Sequence, residues 1–268
     1  MTLRGDTIIK IVEVKSRILN GCTTPYIVWC NDGKTYVVKF PGNSEGKKAL
    51  VNEFVSSKLA SILGLPVLDY ALISVSLEDY KSNMEKDLKF MSGTAFGTVY
   101  NDRLLNVLNP NQIARTVNCN DAIKIIIFDL LIGNNDRNKG NLMIDSNSKK
   151  LIMIDHTHVF TLETLWDAYQ LSRVSGDDFD ISKLNQYNYR NLSESIKYTN
   201  EFYVELFDFV NKVKNVKKEK ITEIVNDIPS DWNVTKDEKE ALTNYIYDRF
   251  SRIEEILEKL NLEGGEEK

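Results

Sequence analysis

Three oxygen-bearing side chains, Asp136, Asn141 and Asp155, stand at spacings that suit work on phosphate. The first two belong to the polar run Asn134-Asn135-Asp136-Arg137-Asn138-Lys139-Gly140-Asn141, which separates an apolar helical pattern from a second apolar stretch. That stretch, residues 141–144 and 151–154 across the polar turn 145–150, reads as a hairpin. A hairpin returns the chain to its starting edge, so Asn141 at its beginning and Asp155 at its end become neighbours. Two oxygen ligands so placed can share a hard cation such as Mg²⁺, and Asp136 stands a short loop away. Phosphoryl transfer needs these parts: ligands for the ion that holds the phosphates, and a carboxylate that orients a hydroxyl and takes its proton.

The upstream half offers partners for such a site. Lys39 ends the apolar run Val37-Val38-Lys39-Phe40, and Glu53 lies in the helical pattern that follows. Its neighbours one turn and two turns away, Ala49, Ser56, Ser57 and Ala60, are all small, so another element can pack closely on that face. Protein kinases space their catalytic carboxylate and metal-binding asparagine as D-x-x-x-x-N, with a metal-binding aspartate soon after at a strand end and a strand-borne lysine paired to a helical glutamate.

The elements that must position these residues follow from periodicity. Residues 7–14 and Tyr26–Cys30 read as strands around a polar loop, 15–25, and Asn31-Asp32-Gly33 turns the chain into a third strand, 34–40, giving three antiparallel strands. Residues 43–63 predict a helix with Asn43 or Ser44 as cap, stopped by Gly64 and Pro66. Strands are expected over 66–75 and 90–100, on either side of a charged insertion at 77–88, and 101–111 reads as a boundary. From 112 to 132 the pattern is helical and turns apolar all round, as for a helix at the centre of a core. Asp129 interrupts that run, and burial without a partner would be costly, so hydrogen bonds from the backbone of the 134–141 loop are expected on it. The remainder to 262 is mostly helix, with a basic run at 212–220 and an acidic tail at 263–268 that read as solvated.

Taken together, Val37-Val38-Lys39-Phe40, Asn52-Glu53, Leu63-Gly64-Leu65-Pro66-Val67, Ile132 through Asn138, Gly140-Asn141 and Ile154-Asp155-His156 resemble the HipA-like kinases, whose catalytic loop is also similar to that of phosphatidylinositol 3- and 4-kinases. The resemblance implies an α+β, bilobal protein-kinase-like fold: residues 1–105 as a small β-rich lobe with one main helix, 44–63, and residues 106–268 as a larger, mostly helical lobe holding the catalytic loop, 134–141, and the metal hairpin, 141–155. It implies ATP and Mg²⁺, with Asp136 as base, Lys39 on the phosphates, Glu53 paired to Lys39, and Asn141 and Asp155 on the metal. Asn138 stands where the family commonly has histidine, beside the nucleotide. The phosphate-covering loop falls within 17–25, where Gly21 is the one glycine and Thr23 and Thr24 supply hydroxyls. The acceptor implied is a protein serine or threonine, the chain itself included. A small-molecule or lipid kinase and a nucleotide-binding pseudokinase stay open beside it.

The 268 residues carry 34 lysines and arginines against 39 acidic residues, a net charge of −5, which speaks against nucleic acid as partner. No apolar run approaches the ~20 residues of a membrane span, and residues 1–6 lack the apolar core of a secretory signal, so the cytoplasm is the expected address. Cys22, Cys30 and Cys119 have no metal-ligand spacing and read as reduced thiols. His156 and His158 form H-x-H without a third soft ligand nearby, so His156 reads as support for Asp155 rather than as a zinc ligand.

Overall fold

A computed structural model describes residues 8–18, 23–76, 92–182 and 186–262. Gly21, Cys22, the charged insertion at 77–88 and the acidic tail lie outside them. Strands β1 (Ile9–Arg17), β2 (Tyr26–Cys30) and β3 (Thr35–Lys39) pair antiparallel in sequence order. Gly33, at φ 79°, supplies the left-handed turn residue between the last two. β1 continues to Arg17, through residues expected as loop, with bulges between Ile11 and Glu13 and between Val14 and Ser16 that let it bend.

The sheet is more than the expected antiparallel one. β4 (Tyr70–Val75) and β5 (Gly93–Val99) extend it in the order β1-β2-β3-β5-β4, and β4 returns to β1 in parallel, Ile9 opposite Ile73, which closes a five-stranded barrel. Closure removes the exposed strand edges that an open sheet presents. Ile11, Val28, Val38, Phe40, Ile73 and Ala95 fill the interior. Alternation then sends Lys39, next to inward Val38, to the opposite face, where its strand partner Phe96 belongs to a second and larger core.

Helix α1 (Lys47–Leu63) lies against that outer face. It begins later than the pattern implied, because Asn43 spends its carboxamide on Phe40 O and Gly46 O and the cap position falls to Gly46. Gly64, at φ 75°, ends it, and Leu65 N donates back to Ala60 O. Phe54 of α1 meets Tyr70 and Trp232 edge to face, and Tyr70 stacks on Phe96. α1 is therefore buried on nearly every side, between the barrel and helices farther along the chain.

The segment expected as a boundary holds β6 (Leu104–Asn106), which pairs with the hairpin of β7 (Leu142–Asp145) and β8 (Leu151–Met153) in a second, three-stranded sheet. The single helix expected over 112–132 is two: α2 (Pro110–Ile113), capped by Asn109, and α3 (Asp121–Leu131), whose residues from Ile125 to Leu131 are all buried. After the hairpin come α4 (Ala168–Val174), α5 (Tyr187–Ser195), α6 (Asn200–Lys214), α7 (Lys218–Asn226), a 3-10 turn at Ser230–Trp232, α8 (Lys236–Ser251) and α9 (Ile253–Lys259). The 3-10 turn clamps the barrel: Trp232 Nε1 donates to Thr94 O and Asp231 accepts from Thr94 N, each at 2.7 Å. Among the described residues no helix is long and apolar enough to cross a membrane.

Candidate active site

Lys39 leaves β3 towards α1, and its ammonium collects three oxygens. It forms an ion pair with Glu53 Oε1, and it donates to Asp155 Oδ1 at 2.9 Å and Thr157 Oγ1 at 2.8 Å. Lys39 and Glu53 are both buried, and Ala49, Ser56, Ser57 and Ala60 around Glu53 are buried with them. Burial opposes the charge on Lys39, yet Asp155 and then Glu53 outweigh it and hold the ammonium above the ordinary lysine range. Asp155 responds the other way: against its partial burial, Lys39 and the Thr157 amide keep it well below the usual carboxylate range. Burial pushes the Glu53 carboxyl up, against the pull of Lys39, and the charge of Asp155 adds to the rise.

The helix is pinned to the segment after Asp155 by a residue that carries the family resemblance but has no role assigned from sequence. Asn52 is fully buried; its Nδ2 donates to Thr157 O at 2.6 Å and Glu163 O at 2.7 Å, and its Oδ1 accepts from Trp166 Nε1 at 2.9 Å. Its neighbour Glu53 is thereby held towards Lys39.

The loop carrying Asp136 is built on a buried ion pair. Asp129 takes Arg137 Nε at 2.9 Å and Nη2 at 2.8 Å, with Asn134 Nδ2 at 2.8 Å and Tyr189 Oη at 3.1 Å. The expected backbone donors to its carboxylate are replaced by side chains, since a buried carboxylate is best met by a forked cation. Arg137 Nη1 also donates to Asn141 O and Ile154 O, at 2.7 and 2.9 Å, and so joins the two ends of the hairpin. That juxtaposition brings Asn141 and Asp155 to the same edge. His156 is buried beside Arg137 Nη2 at 3.3 Å; burial and the guanidinium push it down to about 3, so its ring stays neutral.

Asp136 is held on both oxygens. Asn138 Nδ2 donates to Oδ1 at 2.8 Å and Asn141 Nδ2 approaches Oδ2 at 3.3 Å, while Asn134 Oδ1 accepts from the Asp136 amide at 2.9 Å. Asn138 thus steadies the carboxylate, and its own Oδ1 accepts from Gly140 N at 2.7 Å. Asn141 commits its nitrogen to Asp136, which leaves its carboxamide oxygen, and Asp155 commits Oδ1 to Lys39, which leaves Oδ2. Two hard oxygens fit Mg²⁺, which takes one or two protein ligands and completes its shell with water and phosphate. Of the loop residues, Thr23 is buried, Thr24 is half-buried at φ 45°, and Gly21 lies outside the described residues.

Arg137, Thr157, Asn52 and Tyr189 had no role assigned from sequence. Only Arg137 had a signal there: an aspartate in the apolar run of α3 calls for a buried cation, and Arg137 is the next one along the chain.

A family model described as HipA-like kinase matches residues 11–263. Among solved structures the chain is similar to the Helicobacter pylori proinflammatory kinase CtkA, at 16% identity and TM-score 0.60, over 94% of this chain and 97% of that one. It is also similar to the Golgi casein kinase solved with Mn and ADP bound, at 14% identity and TM-score 0.51, over 96% and 74% of the two chains. At such identities the likeness is one of fold. No curated protein matches the sequence.

Proposed function

The chain belongs to the HipA-like kinase family, and on that premise we propose that it transfers the γ-phosphoryl group of ATP, with Mg²⁺, to the hydroxyl of a protein serine or threonine, its own included. The observation that carries this reading is the convergence of Lys39 from β3, Glu53 from α1 and Asp155 from the end of the hairpin, 116 residues from Lys39 in sequence.

In this reading residues 1–105 and 106–268 are the two lobes, with the nucleotide between them. Lys39, oriented by Glu53, meets the phosphates, while Thr23, Thr24 and Asn138 serve the phosphate side. Asp136 orients the acceptor hydroxyl and takes its proton as the oxygen bonds to the γ-phosphorus and ADP departs. Asn141 and Asp155 hold the Mg²⁺, which when bound offsets the phosphate charge. The Golgi casein kinase, similar in fold, was solved with Mn and ADP, which supports nucleotide and divalent metal together. A cytoplasmic address belongs to the same proposal.

An inactive, nucleotide-binding role fits less well, because lysine, base and metal aspartate are all present. The test is phosphate transfer from labelled ATP to cell extract and to the chain itself, read by mass spectrometry, for the unmutated chain and Asp136→Asn. Transfer to serine or threonine that the substitution abolishes is expected; transfer that survives it overturns the assignment of the base. Label appearing only on small molecules or lipids would replace the acceptor class. ATP should also raise the thermal midpoint more with Mg²⁺ than without it.

A further inference from the structure

His158 stands between two carboxylates from separate parts of the chain. Its Nδ1 is 3.5 Å from Asp136 Oδ2, and its Nε2 is 3.6 Å from Glu45 Oε2. The ring is half-buried, and its backbone is anchored to the loop that carries Asp136, since Asn135 N donates to His158 O at 2.9 Å. Glu45 lies in the turn between β3 and α1, and the same Oε2 accepts from Thr164 Oγ1 at 3.3 Å. Carboxylate oxygens accept and do not donate, so a ring nitrogen that bonds either of them does so as a donor.

The two oxygens of Asp136 are unequally held without this ring. Oδ1 has the 2.8 Å bond from Asn138, whereas Oδ2 has only the 3.3 Å approach of Asn141, whose nitrogen bonds more closely to the Asp136 carbonyl at 2.6 Å. A base whose second oxygen is held by one long bond can rotate away from its acceptor, and small losses of alignment are costly in a transfer reaction.

We propose that His158 is a positioning residue for the reaction: it steadies Oδ2 of Asp136 and, through Glu45, couples that base to the turn from which α1 and Glu53 begin. This role rests on Asp136 being the base. A displacement of the turn at 41–46 would then reach the lysine pair through α1 and the base through Glu45 and His158 together.

The experiment compares His158→Ala, His158→Asn, His158→Gln and Glu45→Gln in the full chain, measuring Mg²⁺-ATP hydrolysis, self-phosphorylation and thermal midpoint. His158→Ala should lower kcat about tenfold with KM for ATP and the midpoint unchanged. Asparagine places a carboxamide nitrogen near the Nδ1 position and should recover most of the rate; glutamine, which reaches the Nε2 position, should not. Glu45→Gln should lower kcat by roughly two- to threefold, the loss of one end of the bridge. An unmutated chain that turns over ATP while His158→Ala matches it overturns this role alone. Equal losses in the alanine and asparagine variants, with a lowered midpoint, mark His158 as merely structural and also overturn it. An unmutated chain that turns over no ATP overturns the kinase reading, and this role with it.

Discussion

Arg137 and Asp129 meet fork to fork, Nε to Oδ2 at 2.9 Å and Nη2 to Oδ1 at 2.8 Å, with neither side chain exposed to solvent. The remaining guanidinium nitrogen bonds the two carbonyls at the ends of the β7–β8 hairpin, so one buried cation organises both the loop of Asp136 and the edge of Asp155. Desolvating such a pair is expensive, and here Asn134 and Tyr189 complete the shell of the carboxylate.

Arg137→Met should therefore lose about 3–5 kcal/mol of stability in urea unfolding, since it leaves a buried carboxylate without its cation. A loss below about 1 kcal/mol would show that the hairpin ends hold without it.

The same pair sets an acid dependence. Burial opposes the charge on Asp129, but Arg137 outweighs it and lowers the carboxyl below its ordinary value. The unfolded chain then takes up the proton first, so the stabilisation is complete above pH ~4 and drains away as pH falls further. The gap in unfolding free energy between the unmutated chain and Asp129→Asn should be wide at neutral pH and narrow towards acid. A constant gap would contradict this.

Thr157 completes the Lys39 cluster, accepting from the ammonium at 2.8 Å and donating to Glu53 Oε1 at 3.3 Å, while its amide donates to Asp155 Oδ1 at 3.2 Å. Thr157→Val removes the hydroxyl at nearly constant volume, a loss of about 1–2 kcal/mol of charge-assisted bonding. Phosphate transfer should fall roughly five- to thirtyfold, and Thr157→Ser should restore it. An unchanged rate in the valine variant would remove Thr157 from the site.

Asn52 is the polar pin between α1 and the segment from 157 to 166. Asn52→Leu strands a buried indole N–H and two carbonyls, and should cost about 2–4 kcal/mol in chemical unfolding. It should also lower phosphate transfer, because Glu53 is the next residue.

Cys30 lies inside the barrel, where burial and then Asp32 push the thiol up to about 12. Cys119 is half-buried. A thiol reagent at pH 8 should label Cys119 well before Cys30 in peptide mass spectra, since the thiolate is the reactive form. Simultaneous labelling would mean that the barrel opens.

The features legible in the sequence are those carried by short-range patterns. The hairpin at β7 and β8 brings Asn141 and Asp155 together within a span of 15 residues, counted inclusively from the numbering. The alternation of β3 sends Lys39 away from the barrel interior, and the small residues around Glu53 allow close packing, so this part of the site could be read from neighbours alone. The three-stranded start of the sheet was readable for the same reason, from β-branched runs and one turn.

The tertiary structure decided whatever depends on partners far apart in sequence. Closure of the barrel needs β4 beside β1, a parallel pairing that no local pattern encodes. Asn52 has partners 105 to 114 residues away, and Glu45 and Asp136 reach His158 from opposite sides. Cap choice likewise passed from Asn43 to Gly46 once the turn had claimed the asparagine side chain. Periodicity reports which face of an element is buried; which polar groups meet there is settled by the cost of leaving any of them unpaired in the folded chain.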